Sequence, residues 1–160
     1  MLFDGRRFAA SGRAWKGIDT VNRKIRKGGE TLREDWYAAA EGEEMLLLRF
    51  PLLEQTGLVE HCFTGRTGGV SEGIFSSLNL SFSRGDEREA VAENFRRLAK
   101  ALRTDVSKFV FTDQTHTTNV RTVTEADAGK GLTKELDYHD VDGLITDVPG
   151  LVLSTFYADC

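Results

Sequence analysis

Only two cysteines, two prolines and no long apolar run occur in these 160 residues, and each scarcity excludes something. No stretch approaches the roughly eighteen consecutive apolar residues that would span a bilayer, so no membrane-crossing helix is expected. Cys62 and Cys160 lie far apart without a Cys-x-x-Cys pair, and the opening lacks a charged start, an apolar middle and a small-residue cleavage site. A disulfide scaffold and a secretory leader are therefore disfavoured, and a reducing, cytoplasmic compartment is expected. Gly-x-x-x-x-Gly-Lys-Ser/Thr is absent, which removes a P-loop. Acids outnumber bases 25 to 21, so the chain is not expected to bind nucleic acid in general.

What remains is ordinary globular material, 40% hydrophobic and 29% charged, in a length sufficient for one domain with a core. The charge is unevenly placed. Residues 1–33 hold nine Lys/Arg against three Asp/Glu, leaving twelve against twenty-two elsewhere, so a +6 opening precedes a −10 remainder. In that opening Gly5, Gly12, Gly17, Gly28 and Gly29 interrupt every apolar pattern, and Arg23-Lys24-Ile25-Arg26-Lys27 is a basic knot. Residues 1–44 read as a basic, poorly ordered extension, a solvated tail in preference to a nucleic-acid arm or an organelle presequence. Met45, just before Leu46-Leu47-Leu48, is the expected natural start, with the upstream stretch a misassigned opening.

From Met45 onward the signals are regular. Residues 45–50 have the length of a strand, Pro51 ends it, and 52–56 fit a helical turn stopped at Gly57. Residues 58–64 read as one strand with His61 on one pleat face and Cys62 on the other. Residues 76–80, with Phe82, form a short Ser/Asn-punctuated strand. Asp86 then reads as a helix cap with Glu89 three residues on, and Val91, Phe95, Leu98 and Leu102 make a helical stripe with Asn94 as a boundary polar residue beside it. Residues 108–112 and 117–124 are strand-like. A charged, glycine-punctuated excursion over 125–140 carries His139 as an exposed imidazole. Two apolar strands over 142–146 and 151–157 follow, separated by the turn at Pro149-Gly150.

Two places carry chemistry. In Gly65-Arg66-Thr67-Gly68-Gly69-Val70-Ser71, exposed N–H groups beside a guanidinium suit an anion such as phosphate, although spacing alone favours a plain loop with a surface arginine. His116 stands where one strand hands over to the next, and Cys160 ends an apolar run. Imidazole and thiolate are common zinc ligands, but a catalytic zinc usually takes three protein ligands and a water, and this chain visibly supplies two. Without further pattern, a non-enzymatic domain with ordinary core or edge residues at these positions is preferred.

Further pattern exists. His61-Cys-Phe-Thr-Gly-Arg66-Thr-Gly-Gly-Val-Ser71, Ser77-Leu-Asn-Leu80, Asn94, Asp113-Gln-Thr-His116, Val141-Asp142-Gly-Leu-Ile-Thr146 and Ala158-Asp-Cys160 occur in order. Together they resemble the laccase-domain family, also called multicopper polyphenol oxidases, whose members are understood as purine nucleoside phosphorylases. The similarity covers 45–160. It implies an α+β fold with two mixed β-sheets packed between helical layers, truncated here because family domains are longer. It also implies a zinc, sometimes assigned as copper, on His116 and Cys160, with a third ligand from a His-x-Gly-Trp motif expected beyond Cys160.

The implied reaction is phosphorolysis of adenosine, inosine or methylthioadenosine with inorganic phosphate as co-substrate, and adenosine deamination as a side activity. Arg66, Asn79 and Asp142 are the implied catalytic residues, with Arg66 on the phosphate; Ser71, Gln114 and Asp159 are the implied substrate contacts. Gly65 departs from the family's usual Thr and is expected to make the loop more mobile. Purine nucleosides are the implied partners, and the 160-residue chain by itself is expected to be inactive. The rival enzyme reading is copper-dependent oxidation of phenols, against which a single His₂Cys site lacks the several coppers needed to reduce oxygen to water.

Overall fold

The computed structural model describes residues 2–3, 25–27, 30–40 and 42–157. Its class is α+β, as the resemblance implies. Among the described residues the strands form three sheets. One four-stranded sheet is antiparallel and is built on the hairpin of β3 (Glu30–Ala40) and β4 (Glu43–Arg49), flanked by β2 (Ile25–Lys27) and β6 (Phe63–Thr64). The other is mixed, in the order β5 (Glu60–His61), β1 (Leu2–Phe3), β10 (Val152–Ser154), β7 (Phe109–Phe111). A small parallel pair joins β8 (Val120–Thr122) to β9 (Gly143–Ile145).

The hairpin corrects the sequence reading at its boundary. β3 pairs with β4 from Arg33 opposite Arg49 to Ala40 opposite Glu43, so a division at residue 45 cuts through a β-hairpin. The charged run Arg33-Glu34-Asp35 suggests a solvated face, yet Glu34 and Asp35 are buried. Asp35 Oδ2 meets Arg49 Nε at 3.3 Å, and the Arg49 guanidinium, itself buried, also donates to the His61 carbonyl and to Tyr37. Pairing inside the fold is what makes the Asp35 and Arg49 charges tolerable away from water. Met45, in the middle of β4, is fully buried. Of the basic opening, residues 1, 4–24, 28–29 and 41 lie outside the described residues.

Two more expected strands differ. The run 58–64 breaks at Cys62, because β5 pairs with β1 in one sheet while β6 pairs with β4 in the other. His61 and Cys62 are consequently both buried, at the crossing between sheets. Residues 76–80 form no strand. Their polar groups bond the glycine loop instead, with the N–H groups of Ser77 and Leu78 donating to the Arg66 carbonyl at 3.0 and 2.9 Å.

The core is assembled by α2 (Arg88–Ala101). Its apolar stripe of Val91, Phe95 and Leu98 is fully buried, and Phe95 packs its ring against Phe82, Phe109 and Phe111 at centroid distances of 5.9, 5.7 and 5.2 Å. Burying each such side chain contributes about 1.5–3 kcal/mol. α1 (Pro51–Gln55) begins on a proline, whose missing N–H costs nothing in a first turn. The feature that matters for chemistry is that β7 and β10 are neighbours running parallel, Phe109 beside Val152 and Phe111 beside Ser154. The segment carrying His116 and the segment Thr155-Phe156-Tyr157 therefore leave the sheet at the same end.

Candidate functional site

Two loops carry the candidate residues. The first runs from Gly65 to Ser71 and lies against the fold too closely for side chains: a Cβ on Gly68, at φ +87°, would sit 2.7 Å from Met45 Cα, and one on Gly69 would sit 2.0 Å from the Ser77 carbonyl oxygen. Gly65 N–H donates to Leu46 O at 2.8 Å, and Arg97 Nη1 donates to Gly68 O at 3.2 Å while pairing with Glu43 at 2.6 Å. Arg66 is exposed. Its Nη2 donates to the carbonyls of Ile74 and Ser76 at 3.0 and 3.4 Å, leaving Nε and Nη1 without a bond among the described residues.

Beneath this loop is a polar network. Asp86 does not cap α2. The cap position falls to Glu87, which makes no side-chain bond there. Asp86 Oδ2 instead accepts from Ser71 Oγ at 2.7 Å and from Asn79 Nδ2 at 2.8 Å, while Oδ1 accepts from Glu87 N–H at 2.8 Å. The bonds from Asn79 and then Ser71 hold its carboxyl below the usual carboxylate range. Asn94 is fully buried: Oδ1 accepts from Val70 N–H at 2.8 Å, and Nδ2 donates to Ser71 Oγ at 2.9 Å, Asn79 O at 2.8 Å and Ser77 O at 3.3 Å. Sequence reasoning passed over Asp86 and Asn94 as loop supports. A signal for the second existed, since Asn94 falls three residues after Val91 and four before Leu98, on the buried face, where an amide must find partners.

The second loop carries His116 in the left-handed region, φ +64°. The N–H groups of Thr115, His116 and Thr117 all point at Asp142, at 3.3, 3.0 and 3.0 Å, and Thr117 Oγ1 donates to it at 2.7 Å. The Thr117 hydroxyl is the main reason the Asp142 carboxyl is held low, with those N–H groups adding to it. Asp142 thus shapes the turn, while the exposed His116 imidazole makes no hydrogen bond among the described residues. Gln114 Oε1 accepts from Thr112 Oγ1 at 3.1 Å and Phe156 N–H at 2.8 Å, tying this loop to the strand end beside it. His139 is exposed, as expected, with Nδ1 3.4 Å from Asp113. His61 is a structural imidazole: Nε2 accepts from Phe50 N–H at 2.6 Å, and burial, then the Arg49 charge, holds its pKa below the usual histidine range.

The segments flanking the two loops meet at one aromatic contact. Phe63, which leads into Gly65-Arg66, touches Tyr157, next to the Phe156 held by Gln114, at a ring-centroid distance of 5.8 Å. Asp159 and Cys160 lie outside the described residues. Among the described residues no group of three or more His, Cys, Asp or Glu side chains could hold a metal. His116 fits a metal by its donor chemistry, as an accessible imidazole with no hydrogen bond among the described residues.

Comparison with known proteins places the chain in a family. The profile of the multi-copper polyphenol oxidoreductase laccase family matches residues 60–160, which contain both loops. The chain belongs to this family. This laccase-domain chain is 39% identical over 98 residues to the purine nucleoside phosphorylase YlmD of Geobacillus stearothermophilus, covering 61% of its own length and 36% of that protein's. It is 39% identical over 111 residues to a purine nucleoside phosphorylase of Deinococcus radiodurans, covering 69% and 40%. The crystal structure of YlmD from Geobacillus stearothermophilus superposes with a TM-score of 0.55 at 28% identity, covering 82% of this chain and 43% of that one. That of Bacillus licheniformis hypothetical protein YfiH gives 0.59 at 35%, covering 68% and 39%. This member of the family thus spans well under half the length of the relatives it matches. Among the described residues no helix is long and apolar enough to cross a membrane.

Proposed function

We propose that this chain contributes the Arg66 and His116 loops to a zinc-dependent purine nucleoside phosphorylase acting on adenosine, inosine or methylthioadenosine. What supports this most is the His116 imidazole, accessible and without a hydrogen-bond partner, on a turn whose three N–H groups are tied to one carboxylate. With neither ring nitrogen bonded among the described residues, the imidazole is free to serve as a metal ligand. His116 and Cys160 would hold the zinc, with a third donor from outside these residues. When bound, the zinc supplies Lewis acidity and orientation, and the same property would serve adenosine deamination as a side activity.

The rest falls to the chain's own side chains. Arg66 offers Nε and Nη1 to inorganic phosphate in charge-assisted bonds and holds it in line with C1′ of the sugar. A phosphate oxygen forms the new bond to C1′ as the bond to the base nitrogen breaks. The base leaves with that electron pair and takes up a proton, giving ribose 1-phosphate and free base. The Gln114 amide N–H groups and the Asp159 carboxylate are the proposed contacts to the nucleoside. Asp142 acts by fixing the His116 turn.

In the protein that contains this chain, inosine and phosphate are expected to yield hypoxanthine and ribose 1-phosphate, with His116→Ala removing bound zinc and turnover together. The isolated 160 residues, with two ligands, are expected to be inactive. Oxidation of a phenol without nucleoside cleavage, or an H116A protein that keeps zinc or turnover, would overturn the assignment.

A further inference from the structure

We infer that Asp86 and Asn94 are positioning residues that set the affinity for inorganic phosphate by holding Arg66, and that Ser71 and Asn79 belong to this support rather than to the substrate contacts. The inference rests on the proposed role of Arg66 as the phosphate contact.

The network is built around both ends of that arginine. Its carbonyl receives Ser77 N–H and Leu78 N–H, and its guanidinium donates to the carbonyls of Ile74 and Ser76. The position of Arg66 is therefore the position of the segment from Ile74 to Leu78. That segment is held to the glycine loop by Ser71 N–H to Ser77 O at 3.0 Å and by Gly69 N–H to Ser77 Oγ at 3.2 Å. Asn94 bonds to both segments at once, to Val70 and Ser71 on one side and to Ser77 and Asn79 on the other. Asp86 closes the same ring from outside by accepting from Ser71 and Asn79 with a single oxygen.

Ser71 is buried, with its hydroxyl engaged as donor and acceptor, and Asn79 spends its carbonyl oxygen on Ser81 N–H at 3.1 Å and its amide on Asp86 and Ser81 O. Neither has a donor left to offer an anion. Asp86 sits where helix capping would be its ordinary use, yet it faces this ring, and Glu87 caps without it. A carboxylate so diverted fixes the loop before any anion arrives, so the guanidinium need not be ordered on binding.

The test uses the metal-loaded protein that contains this chain, with Asp86→Asn, Arg66→Lys and the double variant. In Asp86→Asn the side chain keeps its shape but must set an NH₂ group against donors, either Glu87 N–H or the Ser71 and Asn79 pair. D86N is expected to raise KM for phosphate roughly tenfold, leaving KM for inosine and zinc content unchanged. R66K is expected to raise it more, and the double variant no further than R66K, because Asp86 acts through Arg66. Asp86→Glu, which restores a carboxylate, should recover part of the loss. D86N raising both KM values together, leaving the phosphate KM unchanged while R66K raises it, or adding its full effect to that of R66K, would overturn this inference alone. R66K with an unchanged phosphate KM would overturn the reading of Arg66 and this inference with it.

Discussion

The Arg66 loop and the His116 loop are both hung on an aspartate, but they are supported in different depths of the molecule. Asp86 works together with Asn94, which is fully buried, and with two glycines pressed against backbone, so that the arginine loop is an extension of the core. Asp142 holds the histidine loop through four bonds that are all at the surface, and the imidazole itself makes no hydrogen bond among the described residues. The difference matches what each loop is proposed to do. An anion that comes and goes with each turnover is best met by donors already in place. A metal that stays bound can complete the ordering of its own ligand, because its binding free energy adds to folding.

The largest effect should come from removing the buried half of that contrast. Asn94→Ala would strand Val70 N–H and Asn79 O beneath the loop, at about 1–3 kcal/mol for each group left unpaired. A loss of about 3 kcal/mol is expected in urea unfolding, seen as a lower midpoint with an unchanged slope. A midpoint within error of the parent would mean that the arginine loop is no more anchored than the histidine loop. Next in size is Gly69→Ala, whose new methyl would sit 2.0 Å from the Ser77 carbonyl and 2.6 Å from Asn94 Oδ1. Both neighbours are held by the same network and have nowhere to move, so about 2 kcal/mol of destabilisation is expected, again by urea titration.

How much of this could be read from residues alone follows the same division between local and distant causes. The stripe of α2 and the apolar runs of β4 and β7 were legible because their periodicity is fixed by which face each element buries. Asp86 was misread because Asp-x-x-Glu before an apolar stripe looks the same whether the carboxylate turns toward its own helix or toward a serine fifteen residues earlier. The strand over 58–64 was expected to be continuous, since nothing within it says that two sheets claim its halves. β3 was hidden by charges whose partner, Arg49, is fourteen residues from Asp35. His116 and Arg66 could be singled out as candidates because their surrounding motifs are contiguous. That Asp142 is bonded to the backbone on both sides of His116 required the fold.

The smallest expected effect is the counterpart of the Gly69 change on the other loop. Gly143 follows Asp142 at the start of β9, with its N–H donating to Asn119 O at 3.1 Å, and a methyl there would meet the Val120 side chain at 3.2 Å. The Val120 side chain is exposed, and a small rotation removes the contact, so Gly143→Ala should change stability by less than about 0.5 kcal/mol. Its position makes it a sharp probe nonetheless. If the histidine loop is set only by the four bonds to Asp142, the variant should bind zinc as the parent does, since none of those donors moves. A loss of zinc with unchanged unfolding would show instead that the β8–β9 pair transmits its register to His116, and that the surface loop is as tightly coupled to its scaffold as the buried one.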